Sequence, residues 1–248
     1  MEWNWVQIAL AAAAAVLIGF SKTGISGVGI LAVALMAIVF PAKQSVGAIL
    51  PMLITGDIVA VAHYRKTVVW KHLVSLIPWV LAGLLLGFFV MFRIGDGQLS
   101  VLLGSLILAL LGLHLAKDRL EAKMRFSFAR SASFQATMGV LAGFATMVGN
   151  VAGAIMTMYL LSKGLQKNEF IGTGAWFFLA VNVIKLPFNA SLGLMTPEML
   201  VFDLWMVAPI LLGAWVGIRI VPLISQSHFQ RLILVFTALG AIRLLLAA

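Results

Sequence analysis

The chain begins with an apolar stretch too long to cross a membrane once and interrupted before it could cross twice. Residues 6–40 contain AAAAAVLI, then GFSKTGISGVG, then ILAVALMAIVF. A transmembrane helix needs about 20 apolar residues at a rise of about 1.5 Å each. The arms on either side of the glycine-rich break are each short for a full span. They can form two short helices or a re-entrant hairpin, and in both cases the chain enters and leaves on one side. A break inside lipid leaves N–H and C=O groups without partners, and is tolerated only where protein or a water-filled cavity supplies them. The break must therefore be packed against other helices and line something polar.

The rest of the chain supplies those helices. Of 248 residues, 62% are hydrophobic and 10% charged, against about 25% charged in soluble domains. That composition predicts an integral membrane protein. Spans are expected at 44–64, 73–92 and 98–116. A second long segment, 132–162, is broken at Gly149-Asn150-Val151-Ala152-Gly153, and 168–190, 200–222 and 229–247 follow as spans. The expected fold is all-α, with two transmembrane repeats, 1–116 and 132–248, joined by a polar linker at 117–131. Each repeat has a broken or re-entrant segment followed by three full helices. Met1-Glu2-Trp3-Asn4-Trp5 has no basic run of the signal-peptide kind, so the first apolar run is expected to stay in the mature protein. The absence of cysteine excludes a disulfide framework and thiolate metal sites.

The two halves share spaced glycines. Gly19-Phe20 matches Gly143-Phe144, and Gly29 matches Gly153, at an offset of 124. Gly83 and Gly87 match Gly213 and Gly217 at an offset of 130. Small residues four apart let membrane helices approach closely. With each broken segment counted as two passes, one side collects Arg65, Lys66, Lys71, the linker cations, Lys163, Lys167 and Arg231, and the other little beyond Lys43 and Arg93. The positive-inside rule makes the first side cytoplasmic and puts both termini outside. Five passes per half is odd, so the repeats are inverted. Inverted repeats with discontinuous helices characterise secondary transporters, whose sites lie near the midplane where the broken helices meet.

The broken segments carry the candidate substrate residues. In the first, Ser21, Thr23 and Ser26 can satisfy backbone groups, and a helix starting near Ser26 would aim its positive end at the break. Lys22 adds a formal charge. It lies at the substrate or at the membrane surface, depending on whether the short helices cross fully. The second break offers Thr146 and Asn150. Asn182, Lys185 and Asn189 share a face of the 168–190 helix, and Lys185 needs water or an anion unless it snorkels to an interface. Asp57 and His63 are the candidates for a coupling proton. Asp57 could instead pair with Lys22 or another cation and serve only packing.

At these residues the sequence resembles a known family. GFSKTGISGVGILAVALM, PAKQSVGAILPMLITGDIVAVAHYRKTVVW and PWVLAGLLLG are similar to the first half of the sulfite exporter TauE/SafE family, also called toluene sulfonate uptake permeases. GFATMVGNVAGAIMTMYLL, GTGAWFFLAVNVIKLPFNASLGLM and PILLGAWVGIRI resemble its later segments. The resemblance implies a transporter of small sulfur-containing anions such as sulfite or organosulfonates. It also implies that the Asn182–Lys185 stripe faces the cavity.

Other classes remain beside that one. An anion channel would share the positive site without alternating access, and an uptake permease for an organosulfonate or other oxyanion would reverse the direction. There is no Walker A sequence, no metal-ligand cluster and no Ser/His/Asp arrangement, so neither an enzyme, a cofactor nor a metal is expected. The net charge of +9 is that of cytoplasmic loops, not of a nucleic-acid binder. The bilayer is the expected partner, and the glycine pairs permit a homodimer.

Overall fold

The computed structural model describes residues 4–24, 28–99, 101–102, 104–106, 108–109, 112, 131–165 and 167–220. Ser26, nearly all of the expected linker and the expected span 229–247 lie outside the described residues. The structure is all-α. Its helices are α1 (Trp5–Thr23), α2 (Gly29–Val39), α3 (Ala42–Tyr64), α4 (Trp70–Arg93), α5 (Ala132–Gly149), α6 (Gly153–Ser162), α7 (Lys167–Ser191) and α8 (Pro197–Ile220). Among the described residues, six helices are long and apolar enough to cross a membrane: all of these except α2 and α6. The protein is a multi-pass membrane protein.

Local chemistry sets several boundaries. Asn4 and Gln7 form a reciprocal capping box at the start of α1, which satisfies two otherwise orphaned donors. Ser131 accepts from the Phe134 N–H at the start of α5. α5 ends at Asn150, whose φ of 55° is left-handed. The Asn150 and Val151 N–H groups turn back to Thr146 and Ala145. This is a Schellman-type stop, which asparagine tolerates better than most residues.

Both broken segments pair a long helix with a short one. α1 has 19 residues and α2 has 11, or about 28 and 16 Å. α5 has 18 and α6 has 10. The first break is expected from the sequence to have an arm short of a full span on each side, and only the second arm is short. The first arm is nearly a full span and the second about half of one. α2 also begins at Gly29, three residues later than the expected start near Ser26.

Directions follow from side-chain contacts. The Tyr64 hydroxyl at the end of α3 donates to the Thr23 carbonyl at the end of α1, so both helices run toward the end that carries Arg65 and Lys66. α2 returns to the opposite end, where the Lys43 N–H donates to Asp96. α6 does the reverse: it starts near α3's first turns, where Asn150 Nδ2 donates to the Val46 carbonyl. It then runs to the basic end, where the Tyr159 hydroxyl donates to the His72 carbonyl.

Two close helix pairs flank this centre. α1 lies along α8, where a Cβ on Gly19 would collide with the Ile210 carbonyl and one on Gly213 with the Val16 carbonyl. α4 lies along α5, with Gly83 against the Val140 carbonyl and Gly143 against the Val80 carbonyl. Each pair is parallel, and α1 and α5 run in opposite directions. Without a hydrophobic drive between helices in lipid, backbone-to-backbone approach at small residues supplies much of the packing. The outward faces of α4 and α8, including Val74, Phe89, Phe92, Leu204 and Trp205, are exposed apolar surface for lipid.

Candidate functional site

The two breaks open onto one cavity of about 70 Å³. On this measure a single water needs about 10–15 Å³, so the space admits a small oxyanion or several waters. Its walls are Ser21, Lys22, Gly24, Gly29 and Ile30 from the first break, Thr146, Asn150, Val151 and Gly153 from the second, and Phe178 and Asn182 from α7. It continues past Thr157, Leu160, Phe170 and Ile171, which lie toward the basic end. Gly29 and Gly153 are the first residues of α2 and α6, so two half-length helices present their N-termini to the same space. Unpaired N–H groups and the positive dipole end both favour an anion there. The N-cap residue of α2, Val28, has no polar side chain to cap its first turn.

A polar string backs this cavity. The Lys22 ammonium lies 2.8 Å from Asp57 Oδ1 and 4.3 Å from the centre of the Phe178 ring. Asn182 Nδ2 donates to Asp57 Oδ2 at 2.7 Å. Lys22 is 10% exposed and Asp57 fully buried. The lysine stem passes close over Gly56, where a Cβ would come within 3.1 Å of Lys22 Cγ. One turn along α7 from Asn182, the fully buried Lys185 donates to Thr146 Oγ1 at 3.3 Å and to Asn150 Oδ1. Its polar partners are two neutral oxygens. With all three groups ionised, two lysines face one carboxylate and the site carries one net positive charge.

Of the residues singled out in the sequence, Ser21, Lys22, Thr146, Asn150 and Asn182 line the cavity, with Lys185 and Asp57 directly behind them. Thr23 is turned away, its hydroxyl lying 3.0 and 3.1 Å from the carbonyls of Gly19 and Ala214, where it ties α1 to α8. His63 is exposed in the last turn of α3, its ring edge-on to Tyr64. Asn189 is fully buried on the same face as Lys185, with neither amide atom hydrogen-bonded. Sequence reasoning passed over Phe178 and Asp203. Phe178 is hidden in an apolar run, and its place in the cavity wall and its contact with Lys22 mark it. Asp203 had a signal, a carboxylate within VFDLWMVAPILL. It is 6% exposed and neither carboxylate oxygen has a hydrogen-bond partner.

Asn150 yields a graded prediction. Asn150→Gly keeps the left-handed turn and removes only the bonds to Lys185 and Val46. Asn150→Ala removes the same bonds and adds about 1–2 kcal/mol of backbone strain. Thermal unfolding in detergent should rank wild type above Asn150→Gly and Asn150→Gly above Asn150→Ala.

Searches of curated proteins and of solved structures find no match to this chain. A family model does match: the one described as sulfite exporter TauE/SafE covers residues 11–244, which includes both breaks, the Lys22–Asp57 pair and the Lys185 stripe. With nearly the whole sequence matched around an anion-suited cavity between broken membrane helices, the chain belongs to the sulfite exporter TauE/SafE family of membrane transporters.

Proposed function

We propose that this protein is a secondary transporter that exports a small sulfur-containing anion, sulfite or an organosulfonate, by alternating access around the cavity at the two breaks. The observation that carries the reading is the convergence of two helix N-termini and the Lys22 ammonium on one cavity. Lys22, Ser21, Thr146, Asn150 and Asn182 are the substrate ligands in this reading. Lys185 holds Thr146 and Asn150 in place, and Asp57 is the group that carries a coupling proton.

An inverted repeat gives the moving parts. Support comes from the matched glycines: Gly19 and Gly143 lie on the first helices of the two halves, Gly213 and Gly83 on helices of the opposite halves, and each first helix packs on the other half through them. If the basic end is cytoplasmic, as the positive-inside rule has it, the cavity leads toward the cytoplasm and the structure is an inward-facing one. Export then gains about 2.3 kcal/mol per elementary negative charge per 100 mV of inside-negative potential.

Thermal stabilisation by anions tests the site. A ligand at 100 times its dissociation constant adds about 2.7 kcal/mol. Sulfite or methanesulfonate should stabilise the purified protein, and chloride should do so less. Equal response to every anion, or to none, removes the substrate class. Counterflow in proteoliposomes then separates a carrier from a channel, since a channel gives no counterflow.

A further inference from the structure

The cavity has a feature that a simple anion site does not need. Its cation and its best side-chain amide donor are both already engaged by a carboxylate. Lys22 and Asn182 each present to the cavity, yet Lys22 Nζ sits 2.8 Å from one oxygen of Asp57 and Asn182 Nδ2 donates at 2.7 Å to the other. Asp57 is fully buried and does not line the cavity itself. It stands behind the wall as an internal anion, holding the two groups an incoming anion would use.

We propose that anion binding at Lys22 is linked to protonation of Asp57, so that the anion and a proton occupy the protein together. This rests on the anion-site reading above. With the cavity empty, the ammonium favours the ionised carboxylate. An oxyanion that takes over Lys22 removes that stabilisation and puts a second negative charge close to the first, which opposes ionisation of Asp57. Neutralising Asp57 frees Lys22 and restores the site's charge balance. Linkage is reciprocal, so a proton on Asp57 must tighten anion binding by the factor that the anion tightens proton binding.

The surroundings of Asp57 leave the assignment specific. α1 brings Lys22, and α7 brings Asn182 and, a turn farther on, Lys185. On α3 itself the next titratable groups are His63 and Tyr64, nearly two turns away. α8 also packs on α3; its carboxylates Glu198, in the first turn, and Asp203, next to Phe202, which stacks edge-on with Phe40, are at the opposite end from Tyr64, and Arg219 in its last turn lies over Trp215. α2 contributes no ionisable side chain. Asp57 is thus the carboxylate in contact with the cavity's cation.

The test measures proton uptake on binding. Methanesulfonate is the probe because it stays a monoanion between pH 5 and 9, so any proton taken up belongs to the protein. Titration calorimetry in buffers of different ionisation enthalpy should show uptake approaching one proton per anion. Over the pH range of that uptake, affinity should fall about tenfold per unit rise in pH. Infrared difference spectra of wild type should gain a protonated-carboxyl band on binding. Asp57→Asn should bind with neither proton uptake nor pH dependence. Binding without uptake and without the carboxyl band overturns the linkage while leaving the anion site standing. Uptake that persists in Asp57→Asn assigns the proton elsewhere and also overturns it. No binding by wild type at any pH removes the anion site itself, and the linkage with it.

Discussion

Replacing Lys22 with alanine should lower the unfolding free energy by about 3–5 kcal/mol, because it strands a fully buried carboxylate. Asp57 would keep its bond from Asn182 and lose the counter-ion that the described residues place within contact distance. Asp57→Asn should be milder, since the lysine left behind is partly exposed and sits over Phe178. The double variant Lys22→Ala/Asp57→Asn should recover most of the loss, as removing both partners leaves no orphan charge. A double-mutant cycle by reversible unfolding in detergent reads the coupling directly. If Lys22→Ala matches wild type in stability, the two groups are not an ion pair. The recovered double variant should still show no stabilisation by methanesulfonate or sulfite, which separates the loss of the ligand from the loss of the fold.

The second large effect is steric. Gly19→Ala should cost about 3 kcal/mol and Gly143→Ala a similar amount. In each case the added methyl runs into a backbone carbonyl of the neighbouring helix, Ile210 for the first and Val80 for the second. Backbone cannot move aside as a flexible side chain can, so the helices must separate or tilt, at the upper end of the usual overpacking range. Gly95→Ala is the control, because a Cβ there meets nothing within 4 Å; it should change stability by less than about 0.5 kcal/mol. Gly19 lies one turn before Lys22 on α1, so the alanine should also weaken anion binding by displacing the lysine. A Gly19→Ala protein as stable as wild type would show that α1 and α8 do not pack at this distance.

Much of the site can be read from residue types. A lysine, hydroxyls and glycines in the middle of apolar sequence have few bland explanations in lipid, and so Ser21, Lys22, Thr146, Asn150, Asn182 and Lys185 can be singled out before any contact is known. The roles within that set cannot. Thr23 has the same chemistry as Ser21 and lies two residues away, yet helical rotation turns it to α8 and leaves Ser21 at the cavity. Asp57 offers a carboxylate to any cation in reach, and the packing of α3 beside α1 makes that cation Lys22. Phe178 becomes part of the site through tertiary packing, which places it in the cavity wall and under the ammonium.

The sequence alone determined the membrane class, the positions of the long helices α3, α4, α7 and α8, and the two points where helices break. These are set by local quantities: the apolar length needed to cross a bilayer, and the inability of runs such as GNVAG to continue a helix. It could not set how long each arm would be on either side of a break, since α1 and α5 draw their extra turns from packing against α8 and α4. Nor could it set which helices would meet. The glycines announce a close approach without naming the partner, and the partner in each case comes from the other half of the chain. That choice depends on contacts between residues some 60 to 195 positions apart in sequence, and it is what brings the two breaks, Lys22 and Asp57 to a common cavity.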